Sequence, residues 1–158
     1  MEAVKAAING NETAGGEGTP LGALSDFYRA FNGRDLERVM ANWADDEGIS
    51  MDNPLGGIKR GREEVAEVYR RIFSGPARVY VEFYDYTIHA AQGMFYAVGR
   101  ERGSFIKGEV KIDLAIRTSR IFRRSEKGWR QVHHHGSIEE PRLLDAYQKA
   151  VGLRGGNE

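Results

Sequence analysis

Four polar side chains with useful chemistry share one strand parity in the second half of the chain: Arg100, Thr118, Arg120 and His134. A guanidinium presents a planar fork of N–H donors that suits a carboxylate or an enolate oxygen. An imidazole changes charge near neutral pH and can move a proton. An arginine aimed at an apolar interior must be paired or must line a solvated cavity, because an isolated buried charge is very costly. The competing reading for Arg100 and Arg120 is that they sit near strand ends and reach out to water. His133 and His135 lie on the opposite parity, at i and i+2, a spacing that lets two imidazoles reach one ion. No third ligand stands out. His89 and Asp113 are candidates by type only, and neither a metal nor a cofactor is expected.

These parities depend on the elements that carry them. Leu24, Phe27, Tyr28 and Phe31 recur at helical spacing, and Asn32-Gly33 ends that helix. Asp35 can cap a second helix carrying Leu36, Val39, Met40 and Trp43. Ile49-Ser50-Met51 is a short strand candidate, closed by the turn Asn53-Pro54-Leu55-Gly56-Gly57, and a third helix follows near Gly61–Phe73. After Ser74-Gly75-Pro76 the chain turns β-branched and aromatic, with turn signals near 91–93, 107–108 and 126–128. Four long antiparallel strands are expected at about 78–90, 93–106, 109–124 and 128–138. Pro141 opens a last helix that Gly152 ends. In the third long strand Val110, Ile112, Leu114, Ile116 and Phe122 are all even-numbered, so the even face should point inward. The same parity in the second strand turns Met94, Tyr96 and Val98 inward, against Phe95 and Ala97.

Composition narrows the partners. Lys plus Arg and Asp plus Glu are both 23, so no charge excess favours nucleic acid or an anionic membrane. Without cysteine the chain has no disulfide, thiolate zinc site or thiol nucleophile. No apolar run approaches the roughly 20 residues of a membrane helix, and the first residues lack a secretory signal pattern, so a cytoplasmic location is expected. A Gly-rich polar stretch at 10–20 suggests a flexible arm over 1–20, one domain over 21–138, and a helix with tail over 139–158.

Two segments carry a family resemblance. The first runs from Asp26-Phe-Tyr-Arg-Ala-Phe-Asn-Gly-Arg-Asp35 through Trp43-Ala-Asp-Asp46 and Asn53-Pro-Leu-Gly-Gly to Val65. The second joins Thr118-Ser-Arg-Ile-Phe-Arg-Arg to Gly128-Trp-Arg-Gln-Val-His-His-His-Gly-Ser137. Their order and spacing resemble the nuclear transport factor 2-like superfamily, which includes ketosteroid isomerases, SnoaL-like polyketide cyclases and the hub domain of calcium/calmodulin-dependent protein kinase II. The resemblance implies an α+β cone: a strongly curved antiparallel sheet wrapped over three N-terminal helices, here with a short C-terminal helix added. The second segment is most similar to the kinase hub, whose pocket arginines receive small carboxylates. Arg120 matches one of those arginines, Arg100 takes the place of a second, and a third falls at Gly136.

The implied function is a small-molecule-binding domain with an apolar pocket and an arginine at its polar end, for a hydrophobic or carboxylated ligand. The candidate lining is Arg120, His134, Arg100, Tyr96, Tyr28, Trp43, Asn53 and Thr118. The alternative is a SnoaL-like isomerase, cyclase or dehydratase using His134 and Arg120. Ketosteroid isomerase activity is disfavoured, because that mechanism needs a carboxylate base with a tyrosine and a protonated aspartate. Asn53, Phe27 and about Thr118 occupy those places. The resemblance also implies a homodimer through the convex face, presenting Arg117, Ser119, Ile121, Trp129, Gln131, His133 and His135.

Overall fold

In the computed structural model, which describes residues 1–12 and 18–152, helices come first and a long antiparallel sheet follows. Helix α1 (Pro20–Asn32) starts on Thr19, whose hydroxyl accepts from Gly22 N at 3.0 Å, and Pro20 stands where no amide donor is needed. Asp35 caps α2 (Leu36–Asn42) by accepting from Arg38 N at 3.1 Å. Short strands β1 (Ser50–Asp52) and β2 (Ile58–Arg60) precede α3 (Gly61–Ser74). The long strands are β3 (Arg78–Ala90), β4 (Met94–Lys107), β5 (Val110–Ser125) and β6 (Gly128–Ser137), and α4 (Pro141–Ala150) closes the order. The six strands form one sheet in the order β2-β1-β6-β5-β4-β3, antiparallel except where β1 runs parallel to β6. Leu24, Phe27, Tyr28 and Phe31 of α1, Val39 of α2 and Val65 and Tyr69 of α3 fill the concave side with Phe83, Phe95 and Phe122.

Two irregularities set which side chains face inward. Ile121 pairs with His133 while the adjacent Phe122 pairs with Gln131, so Val132 is an extra residue in β6. The inward set of β6 is therefore Trp129 and Gln131 before the bulge, then His134 and Gly136 after it. The expectation that Trp129 and Gln131 lie on the convex face is corrected by that one-residue slip, since a change of register by one reverses every later side chain. In β3 the pairs jump from Tyr84–Arg100 to Thr87–Val98, and Asp85 there takes a positive φ of 51°.

Strand β4 corrects a second expectation. Phe95, Ala97, Glu101 and Phe105 are buried, whereas Met94, Tyr96 and Val98 are exposed on the convex side. Gly99 and Gly103 share the inward parity, and neither position tolerates a side chain. A Cβ on Gly103 would lie 1.8 Å from the Tyr80 carbonyl oxygen, and one on Gly99 would lie 2.7 Å from Tyr86 Cβ. The glycines let β3 fold over β4 and bend the sheet around the helices.

The first residues are not a free arm. Val4 and Tyr86 exchange backbone hydrogen bonds at 2.8 and 3.1 Å, Ile8 and Phe83 do so at 2.7 and 2.9 Å, and Ile8 is buried. The segment runs along the outer edge of β3, which would otherwise present unpaired amides. Residues 13–17 of the expected arm and 153–158 of the expected tail lie outside the described residues.

Candidate functional site

The even parity of β5 carries Thr118, Arg120 and Phe122 into the cone, and all three are buried. Arg120 is 3% exposed and meets Glu101, 6% exposed, across 3.2 Å. Nε donates to Tyr28 Oη at 3.2 Å, and Nη1 donates to Gln131 Oε1 at 2.7 Å. The guanidinium carbon lies over the Phe27 ring, 3.9 Å from its centre, a favourable cation–π contact. Glu101 is held from two further sides: Tyr28 Oη donates at 2.7 Å and Thr118 Oγ1 at 3.0 Å. Gln131 continues the chain by donating to Asn42 Oδ1 at 3.3 Å, and Asn42 donates to Ala23 O at 3.0 Å. Paired and hydrogen-bonded in this way, two charges can be tolerated in an apolar interior.

The electrostatics follow from this packing. Burial opposes the charge on Arg120, but the facing oxygens of Tyr28, Glu101 and Tyr69 outweigh it and hold the guanidinium firmly protonated. Burial raises the Tyr28 hydroxyl well above its ordinary value, reinforced by Glu101 and opposed by Arg120, so it stays a neutral donor. His134 faces the same interior, paired in register with Arg120. Burial first, then the Arg120 charge, pushes His134 well below the ordinary imidazole value, and it is neutral at pH 7. Its Nδ1 lies 3.3 Å from Ser119 O. A carbonyl only accepts, so Nδ1 carries the proton and Nε2 is left as an acceptor.

Glu101, Arg120 and His134 line a cavity of about 380 Å³, together with apolar walls that include Phe31, Met51, Val81, Phe105, Leu114 and Ile116. Helix α4 supplies Tyr147 to the same wall, stacked edge-on to Phe105 at 5.4 Å, and Gln148 donates to Leu55 O at 2.9 Å. That bond ties α4 to the turn between β1 and β2, where Asn53 also lines the cavity. The Asn53 side chain accepts from Leu55 N at 2.8 Å and shapes that turn.

A model of the SnoaL-like domain family matches residues 21–140. The chain belongs to the SnoaL-like family. The SnoaL-like chain resembles a crystal structure from Thiobacillus denitrificans assigned as a calcium/calmodulin-dependent protein kinase type II association domain. The two are 30% identical with a TM-score of 0.63, over 77% of this chain and 96% of that one. A dehydratase-assigned protein of the nuclear transport factor 2-like family from Streptomyces avermitilis matches at 23% identity and TM-score 0.66, over 75% and 91%. A ketosteroid isomerase-like protein from Erwinia carotovora matches at 21% and 0.61, over 75% and 92%. These two likenesses are of fold alone. No curated protein matches the chain significantly in sequence. Among the described residues no helix is long and apolar enough to cross a membrane.

In this SnoaL-like cone the expected site residues divide into four groups. Arg120, His134 and Asn53 line the cavity. Tyr28 and Thr118 belong to the polar network beneath Arg120. Trp43 is a core residue whose Nε1 donates to Tyr69 Oη at 3.3 Å. Arg100 and Tyr96 are corrected: the reversed parity of β4 turns both to the convex side. There Arg100 pairs with Glu139 at 2.6 Å and Tyr96 stacks on His89. The inward place expected for a third arginine is sealed, since a Cβ on Gly136 would lie 3.0 Å from Pro54. Glu101 was missed, and the signal was available. Phe95, Ala97 and Phe105 share its parity, and two glycines flank it there.

Proposed function

We propose that this SnoaL-like chain binds a hydrophobic small molecule whose polar end is uncharged. The observation that carries the reading is the buried Arg120–Glu101 pair in the lining of a largely apolar cavity. The cavity size lies within the range of small-molecule sites, which combine apolar walls with a few placed polar groups. The sequence raised a carboxylated ligand as one possibility, yet Arg120 already has its carboxylate within the chain. A second carboxylate would approach Glu101 with like charge in a low-dielectric space, which is strongly unfavourable. A hydroxyl meets no such repulsion and can donate to His134 Nε2. Naphthol and naphthoate, matched in shape, test the point by fluorescence titration. Naphthol should bind at least tenfold more tightly, and equal affinity or preference for naphthoate would overturn the reading.

A second reading is an isomerase, cyclase or dehydratase with His134 as base, favoured by the unprotonated Nε2 that burial maintains. A His134→Ala variant that keeps ligand affinity and loses turnover supports it. Ketosteroid isomerase chemistry is not part of either reading. Phe27 lies under Arg120, Asn53 serves a turn, and Thr118 donates to Glu101. The proposal includes a cytoplasmic homodimer. Its contact is the convex face around Arg117, Ser119, Ile121, His133 and His135, with Tyr96 and Val98 added and Trp129 and Gln131 withdrawn. The resemblance to an association domain supports it, and sedimentation showing a monomer at micromolar concentration would remove it.

A further inference from the structure

The parallel pairing of β1 with β6 brings a second cluster together on the opposite side of the sheet from the cavity. Its register sets Ser50 beside His133, Met51 beside His134 and Asp52 beside His135. Met51 and His134 point into the core, so Ser50, Asp52, His133 and His135 stand together on the convex face. Asp52 Oδ2 lies 2.8 Å from His135 Nδ1 and 3.8 Å from His133 Nε2. All three ligand atoms fall within 4.8 Å of one another. The third ligand that the histidine spacing lacks is supplied from a strand some 80 residues away, as the separation of 83 between Asp52 and His135 records. His89 and Asp113 take no part: His89 bonds Thr87 Oγ1 at 2.8 Å and stacks on Tyr96.

We propose that Asp52, His133 and His135 bind one divalent transition-metal ion of the zinc type. Bonds of about 2.0–2.2 Å to nitrogen and carboxylate oxygen place neighbouring ligand atoms about 3.0–3.5 Å apart, and small rotations of Asp52 and the two rings bring the observed separations to that range. Two imidazoles and one carboxylate select zinc, cobalt or iron over magnesium and calcium, which prefer all-oxygen shells. Ser50 contributes the outer contact that such histidines use. Its Oγ lies 2.8 Å from His133 Nδ1, so with Nδ1 donating to Ser50 the lone pair of Nε2 faces Asp52. Within one chain the ligand side chains are 28–52% exposed, with Asp52 at 32%; His133 and His135 also belong to the proposed dimer contact, so in the homodimer the ion would sit at that seam.

The test uses tag-free full-length protein dialysed against chelator, titrated with cobalt(II) by visible absorption and with zinc(II) by calorimetry. The expected result is saturation at one equivalent, with the spectrum of a mixed nitrogen and oxygen site. His133→Ala and His135→Ala should each weaken binding more than tenfold, and His89→Ala should leave it unchanged. Ser50→Ala, a positioning change, should weaken it about tenfold while the one-equivalent stoichiometry persists. Zinc should raise the melting temperature of the parent and not that of Asp52→Asn, which preserves the side-chain shape and controls for folding. No saturable binding by the parent, or His133→Ala and His135→Ala variants that bind as the parent does, would overturn the assignment.

Discussion

Replacing Glu101 and Arg120 with methionine, singly and together, measures what the buried pair does for the fold. Each single change strands the opposite charge in an interior where both groups are almost fully covered. Removing one partner of a buried pair typically destabilises by about 3–5 kcal/mol. For a domain of 158 residues, each kcal/mol lowers the melting temperature by about 2–4 °C, so either variant should lose about 6–20 °C. Independent effects would sum to about 6–10 kcal/mol in the double variant. The geometry predicts otherwise: with both charges gone, the double should cost no more than the worse single. Buried pairs exchanged for apolar groups of similar volume are often neutral, although Tyr28, Thr118 and Gln131 lose partners and prevent full recovery. Urea denaturation followed by fluorescence of the buried Trp43 and Trp129 gives the cycle, provided the slope is common to all four proteins. An additive double variant would refute coupling through the pair. A neutral Arg120→Met would refute the burial argument itself.

Other outcomes follow from neighbouring features. Because His134 is held well below its ordinary value of 6.5, the unfolded chain takes up a proton that the folded one refuses. Stability should then fall as pH drops below about 6.5, by up to about 1.4 kcal/mol per pH unit. His134→Asn, which can still donate to Ser119 O, should remove that component in urea titrations at pH 7 and pH 5.5. Gly103→Ala should cost about 3 kcal/mol or more because its Cβ would strike the Tyr80 backbone, whereas Gly93→Ala, with open space around it, should change stability by less than about 0.5 kcal/mol. Ile8→Ala should cost about 2–5 kcal/mol if the first residues are a docked edge, and a neutral result by thermal unfolding would make them dispensable.

The inward parity of Arg120 was legible because the even residues of β5 stay apolar from Val110 to Ile116 and again at Phe122, while its place in a pocket rested on the family resemblance. Its neighbours were harder for local reasons. β4 carries Met94, Tyr96 and Val98 on the convex side, where they compete with inward Phe95, Ala97 and Phe105 for the apolar parity, while Gly99 and Gly103 thin the inward face at the bend. Glu101 was hidden by that competition, and Arg100 was misplaced by it. In β6 a single extra residue at Val132 divides the strand into two phases, so His134 was read correctly and Gln131 was not. Nothing in Asp52 itself announces a partnership with His135, since parallel pairing between β1 and β6 is a property of the whole sheet's strand order.

The polar network also governs when, along folding, the molecule becomes itself. Tyr28 and Arg120 are 92 residues apart, Asn42 and Gln131 are 89 apart, and Tyr28 and Glu101 are 73 apart. The β4–β5 hairpin can zip locally, but these bonds wait for the closure of long loops, whose entropy is lost before the contacts form. Glu101 and Arg120 are only 19 residues apart on that hairpin and can meet early, but until the helices cover them the pair stays hydrated and contributes little. Contacts made after the transition state act on escape from the native basin rather than on entry to it. Changes at Glu101 or Arg120 thus shorten the lifetime of the folded molecule, while its refolding rate stays close to that of the parent.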